Sequence, residues 1–216
     1  AVNRDESTRD NACDNGEVEK GLWNRPVTKA NAYYDLQENS INILGGILGG
    51  VFYRADMSEE ELYGSIGMII AHEITHAFDP SGSQYDKDGN WTVWWTQEDM
   101  TAYEEKAAKL IAFYDKIEPR AGLFCSGAAR QGEVVADLGA VRCMLNIIEK
   151  KGLDQQVFFE SYARIWARCL TAEMEESRVR FDVHPLGYLR TNAVLQQFQE
   201  FCDVYDGQEG DGMYLA

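Results

Sequence analysis

The chain has 216 residues, of which 45% are hydrophobic, and 36 acidic against 20 basic residues give it a formal net charge of −16. This length and composition predict a single globular domain with a sizeable core. A surface this acidic repels phosphate backbones, which argues against nucleic acid as a partner. The longest apolar stretch, 41–53, is too short to span a membrane.

The first predicted element is a small β-element that follows an irregular lead-in of residues 1–29. Residues 30–36 and 40–44 are β-prone and predict two short strands. The glycine-rich run 45–50 lacks the Lys-Ser/Thr of a phosphate-binding loop, and it predicts a bend or a close backbone contact instead. Residues 30–216 are expected to form one domain.

The rest of the chain is predicted to be mostly helical. Ser58 and Glu61 form a capping-box pattern at the start of a long apolar helix, predicted over about 59–78. Further helices are predicted over about 96–116, 130–151, 154–170 and 189–201. The expected fold class is mainly α with a small β-element (α+β).

A His-Glu-x-x-His motif, residues 72–76, lies within the first long predicted helix. Positions i and i+4 share one helix face, so the imidazoles of His72 and His76 can bind one zinc ion. Glu73 is placed to take a proton from metal-bound water. Apolar residues flank the motif, so the helix is expected to be buried, where such groups need partners. The alternative is a chance match on a polar helix face.

A third ligand is expected from a later helix, because no histidine follows the motif at the spacing that metzincins use. Glu133 and Asp137 are four residues apart in an apolar stretch. Two carboxylates on an apolar helix face favour a nearby cation. Glu133 is therefore the best third-ligand candidate, although by itself it is equally typical of an exposed helix start.

Four blocks in this order resemble the C-terminal catalytic domain of the neprilysin family of zinc endopeptidases, which are thermolysin-like gluzincins. The blocks are Asn31-Ala32-Tyr33-Tyr34, HEITHAFD at 72–79, GEVVADLG at 132–139, and Asp182-Val183-His184 with Arg190. The five cysteines do not match the disulfide pattern of the animal members, which indicates a relative of bacterial type.

The resemblance implies one zinc ion per chain, bound by His72, His76 and Glu133. It implies that Asp137 hydrogen-bonds a ligand histidine and fixes its tautomer, and that Asp79 is a second orienting aspartate. The expected thermolysin-like zincin domain would therefore hold its metal between two helices.

The resemblance also implies the catalytic roles. Glu73 would be the general base for attack by zinc-bound water, and His184 would stabilise the oxyanion. Arg190 would hold a substrate carbonyl, while Asn31 and Ala32 would pair with the substrate backbone.

A hydrophobic specificity pocket is implied as well, so cleavage of oligopeptides is expected on the amino side of a hydrophobic residue. Its six implied lining residues, which periodicity alone would place in the core, are Ile47, Phe52, Met68, Ile69, Ile165 and Trp166.

Family members carry a helical domain ahead of this region. The resemblance therefore implies a longer protein in which that domain is a partner of the catalytic domain, besides the peptide substrates. An extracellular or cell-surface location is favoured, and a cytoplasmic one stays open. The alternative function is a non-catalytic neprilysin-like module for binding or assembly.

Overall fold

A computed structural model describes residues 25–215 of the chain, so the predicted lead-in lies mostly outside the described residues and the domain boundary at 29/30 stays a prediction. The regular elements within 25–215 are β1 Ala32–Asp35, β2 Ser40–Ile43, α1 Glu59–Leu62, α2 Met68–Thr75, α3 Gln97–Tyr114, α4 Gly127–Lys151, α5 Gln155–Trp166, α6 Ala172–Phe181, α7 Gly187–Leu195 and α8 Gln199–Val204. The expected helix-dominated fold with a small β-element is confirmed.

The β-element is a two-stranded antiparallel ribbon in which Ala32 pairs with Ile43 and Asp35 pairs with Ser40. Oδ1 of Asp35 accepts hydrogen bonds from the backbone N–H groups of residues 37 and 38 and so closes the turn. Within 25–215, β2 is the only strand paired with β1, which leaves the outer edge of β1 open.

One continuous helical run covers the predicted helix 59–78. Its capping box is present, since Oγ of Ser58 accepts from the Glu61 N–H and the Glu61 carboxylate accepts from the Ser58 N–H. A π-helical segment, Tyr63–Gly67, joins α1 to α2. Gly64 in this segment has no room for a side chain, because a Cβ there would lie 2.5 Å from the carbonyl oxygen of Phe158 in α5.

Helix α4 is the centre of the fold, and it contributes to two hydrophobic clusters. Ala140 and Leu145 pack with α2, α5 and α7, whereas Val134 packs with α3, α6 and the start of α7. Helix α4 also approaches α2 closely, because a Cβ on Gly139 would lie only 2.5 Å from Cγ2 of Thr75. The two helices that carry the predicted metal ligands therefore touch.

Several predicted helix boundaries were wrong. Helix α4 starts three residues earlier than expected, because Ser126 caps it. Helix α5 ends at Trp166 rather than near 170, since Ala167 adopts an extended ψ of 116°. Helix α6 was not predicted, although Thr171 is its N-cap. The helix expected over 189–201 is two helices, α7 and α8. No helix in the described part is long and apolar enough to span a membrane.

Candidate metal centre and catalytic cleft

The two motif histidines converge at the C-terminal end of α2. Their Nε2 atoms are 3.0 Å apart, and their rings meet edge to face with centroids 4.6 Å apart. Both rings are placed by the helix itself, because residues four apart share one face. This arrangement is what the spacing of the motif predicts.

Each histidine is held by an aspartate at its other nitrogen. Oδ1 of Asp137 lies 2.8 Å from Nδ1 of His72, and Oδ2 of Asp79 lies 2.7 Å from Nδ1 of His76. Burial alone would raise the pKa of Asp137, but the charge of Arg190 and the hydrogen bond from His72 lower it to about 2. Because a carboxylate accepts hydrogen bonds, each Nδ1 carries a proton, and each Nε2 is the nitrogen left to bind a metal.

Glu133 of α4 completes a group of three possible ligands. Its Oε2 lies 3.3 Å from Nε2 of His72, and its Oε1 lies 3.7 Å from Nε2 of His76. All three ligand atoms lie within 4.8 Å of one another. Oε2 is buried and has no hydrogen-bond partner among the described residues.

Three electron-pair donors facing one another require a cation between them. Two imidazoles and one carboxylate match the donor set of catalytic zinc sites that keep one position open. Burial would lower the pKa of His72, yet its contacts with the carboxylates of Asp137 and Glu133 outweigh burial and raise the pKa to about 9, so without a metal a proton takes the place of the cation and zinc must displace it. The residues present therefore fit a zinc ion.

Glu73 lies next to the ligand pair and lines the same cleft, with only 7% of its surface exposed. Burial raises the pKa of Glu73, and the neighbouring His72 and His76 oppose that shift. A carboxylate with a raised pKa is a better proton acceptor at neutral pH than an ordinary glutamate. Its position agrees with the predicted general base.

Arg190 of α7 is held by contacts with α4 and α5. Its Nε and Nη2 donate to the two oxygens of Asp137 at 2.8 and 2.6 Å. Its guanidinium carbon lies 3.6 Å from the ring centre of Trp166, and Tyr162 donates to its carbonyl oxygen at 2.7 Å. One carboxylate thus orients both His72 and Arg190, a link that helix periodicity cannot reveal.

His184 projects from the loop between α6 and α7. Oδ1 of Asp182 accepts from the His184 backbone N–H at 3.0 Å and lies 2.8 Å from its Nδ1. Nε2 of His184 lies 3.3 Å from Oε2 of Glu133, so the ring reaches the metal centre. Asp182 was expected only as part of a sequence block, with no role of its own. Arg178, which binds its Oδ2 at 3.1 Å, was missed despite the i,i+4 spacing.

These residues line a cleft of about 570 Å³. Asn31 and Ala32 border it, as expected for a substrate-binding strand. Of the six implied pocket residues, four line it: Ile47, Phe52, Ile69 and Trp166. Met68 and Ile165 are not among its lining residues: they are 1% and 3% exposed and pack inside the core among α4 and α5, and their part in a specificity pocket stays a prediction. Arg25 and Arg168 also line the cleft, and no sequence signal had singled them out.

The chain is similar in sequence to known peptidases. The sequence profile of Peptidase family M13 matches residues 31–216. A neutral endopeptidase of Lactococcus lactis is 38% identical over 201 residues, which cover 93% of this chain and 32% of that protein. Neprilysin of Homo sapiens is 32% identical over 204 residues, which cover 87% of this chain and 27% of that protein.

The fold is also similar to solved structures. Zinc metalloprotease Zmp1 of Mycobacterium tuberculosis, solved in complex with an inhibitor, matches with a TM-score of 0.87 at 30% identity, over 92% of this chain and 33% of that one. The chain therefore spans about a third of the length of the relatives that it matches.

Proposed function

The chain belongs to Peptidase family M13, and on this basis we propose that it is the catalytic domain of a zinc-dependent endopeptidase. The observation that carries the proposal is the convergence of His72, His76 and Glu133, with Glu73 beside them in the same cleft. The ligand set is mostly buried, and two aspartates orient its histidines, so it is suited to hold one zinc ion per chain.

A bound zinc ion would supply a water of lowered pKa and polarise the scissile carbonyl. Glu73 would accept the proton of the attacking water and deliver it to the leaving amine. Burial supports this role, because it raises the pKa of Glu73 towards the working pH of a general base. Attack by water involves no covalent bond between the substrate and the protein.

His184 and Arg190 would bind the oxygens of the reacting group and its neighbour. His184 donates from Nδ1 to Asp182, which directs Nε2 towards the cleft, where an oxyanion would form and would accept a hydrogen bond from an Nε2–H. Arg190 uses Nε and Nη2 on Asp137, while its Nη1 has no bond to the described part of the chain. That nitrogen is suited to hold a substrate carbonyl.

The substrate would lie along the open edge of β1. Asn31 and Ala32 border the cleft there, so a peptide in extended conformation can add to the ribbon by backbone pairing. The apolar side chains of Ile47, Ile69 and Trp166 line the same cleft. They favour an oligopeptide with a hydrophobic residue on the carboxyl side of the scissile bond.

The proposed partner and location rest on the resemblance to the family. Because the relatives are about three times longer than the matched region, we expect a further domain of the same protein to cover the cleft and limit access to oligopeptides. We also propose an extracellular or cell-surface location. The rival function, a non-catalytic module for binding or assembly, predicts the same fold but no peptide cleavage.

The test combines metal content with cleavage of a quenched fluorescent peptide, for the chain and for Glu73→Gln. We expect one zinc per chain in both proteins, and chelator-sensitive cleavage in the unmodified chain only. Glu73→Gln keeps the size of the side chain, so it removes the base and leaves the ligands intact. Stoichiometric zinc without cleavage by the full-length protein would favour the rival function. Failure of freshly purified, zinc-supplemented chain to bind zinc would refute the metal centre itself.

A further inference from the structure

Arg130 is a buried cation in α4, one helical turn before the metal-ligand candidate Glu133. It is 2% exposed. Its guanidinium donates to three backbone carbonyl oxygens: those of Ser126 at 3.2 Å, Arg178 at 3.3 Å, and Val179. Within 25–215, no carboxylate lies within ion-pair distance of it. A buried charge without a carboxylate partner needs another source of negative potential.

The C-terminal end of α6 supplies that potential. The last four carbonyls of a helix lack partners inside the helix and carry partial negative charge. Arg178 and Val179 are among the last four residues of α6, which ends at Phe181; the carbonyl of Arg178 also accepts from the N–H of Asp182 just after the helix. Arg130 therefore caps α6 from a neighbouring helix.

The capped turn leads directly into the loop that carries His184. Asp182 follows α6, binds the side chain of Arg178 at 3.1 Å, and holds both the backbone and the ring of His184. The ring then returns to α4, where its Nε2 lies 3.3 Å from Glu133. The loop is thus attached to α4 at two places, by Arg130 at its base and by Glu133 at its tip.

We propose that Arg130 is a positioning residue that holds the His184 loop against the metal-ligand helix and so sets the place of the oxyanion donor. The proposal rests on the proposed peptidase function. Arg130 itself is bonded to neither the metal ligands nor His184, so its effect passes through the end of α6. Displacing a positioned group by about 1 Å lowers a rate by about 100-fold.

The test uses Arg130→Met and the conservative Arg130→Lys in the zinc-loaded chain. The control is Arg142→Met, which changes an exposed arginine of the same helix that pairs with Glu200. Hydrogen exchange is measured for the peptide that covers 182–186 and for the peptide that covers 72–76, together with zinc content and with kcat and KM for a fluorescent peptide.

We expect Arg130→Met to keep one zinc per chain, to increase exchange at 182–186 but not at 72–76, and to lower kcat by about 10- to 100-fold with KM nearly unchanged. Arg130→Lys keeps the charge but not the fork of donors, so its rise in exchange and its loss of kcat should both be smaller than those of Arg130→Met. In a His184→Ala background, Arg130→Met should lower kcat no further, because both changes remove the same function.

A uniform rise in exchange with loss of zinc would make Arg130 an ordinary core residue and would overturn the proposal. Unchanged exchange at 182–186 would overturn it too. If the unmodified chain and full-length protein bind zinc but cleave no peptide, the proposed function fails, while the exchange measurement still decides whether Arg130 holds the loop.

Discussion

The Oδ1 atom of Asp137 lies 2.8 Å from Nδ1 of His72, across the contact between α4 and α2. The same carboxylate binds Arg190 through both of its oxygens. Asp137→Asn removes the anion that fixes the His72 tautomer, so we expect zinc affinity to fall about 10- to 100-fold. Competition with a chromophoric chelator measures this change. Asp203→Asn, at an exposed position in α8, serves as the control, and equal affinities in the two variants would contradict the orienting role.

Removing Arg190 from its buried ion pair with Asp137 should reduce the stability of the fold. Arg190→Met leaves the fully buried Asp137 with His72 as its remaining partner, and because removing one partner of a buried pair destabilises a protein by about 3–5 kcal/mol, we expect a loss of up to that size. Urea unfolding of the zinc-free chain measures the loss. Arg180→Met breaks an exposed i,i+4 pair with Glu176 and should lower the free energy of unfolding by less than about 1 kcal/mol. Similar losses in both variants would show that Asp137 is better solvated than its burial indicates.

The close approach of α2 and α4 predicts that Gly139→Ala is harmful. The new Cβ would lie 2.5 Å from Cγ2 of Thr75, so the helices must separate or Thr75 must move. We expect a loss of about 1–3 kcal/mol and weaker zinc binding, since the two helices hold different ligands. Differential scanning fluorimetry with and without zinc measures both.

Two further variants check the cause of that loss. In Gly212→Ala no atom lies within 4 Å of the new Cβ, so stability and zinc binding should both stay unchanged. Thr75→Ala in the Gly139→Ala background removes Cγ2 and Oγ1 and should recover part of the stability. No recovery would point to a cause other than this contact.

The four described cysteines are free and should differ in reactivity. Burial raises the pKa of the Cys125 thiol, so less thiolate is present at any given pH and alkylation is slow. Cys143 and Cys169 are exposed and should react with iodoacetamide first. Mass spectrometry of peptides labelled between pH 7 and 9 measures the order. Cys125 should gain reactivity mainly when the chain is unfolded in urea, and early labelling of Cys125 in the folded chain would contradict its burial.

Local features of the site and the fold were predictable from the sequence because they depend on neighbouring residues. The convergence of His72 and His76 follows from the pitch of one helix. The capping box at Ser58 follows from local hydrogen bonds, and the end of α4 at Gly152 agrees with its φ of 68°, a left-handed conformation that suits glycine. Glu133 could be proposed as a ligand in the same way, because a carboxylate in an apolar helical stretch is visible from its neighbouring residues alone.

The assembly of the site was decided only by the tertiary structure, because helix periodicity does not specify which helices touch. Contact between α2 and α4 brings Asp137 to His72, and packing of α6 against α4 joins Arg130 to the end of α6, which precedes the loop of His184. The same packing also decides which apolar residues face the cleft and which lie in the core. Ile69 lines the cleft, whereas its neighbour Met68 is enclosed. Residue type and spacing alone determined which chemistry was possible, and the close packing of distant segments determined where it takes place.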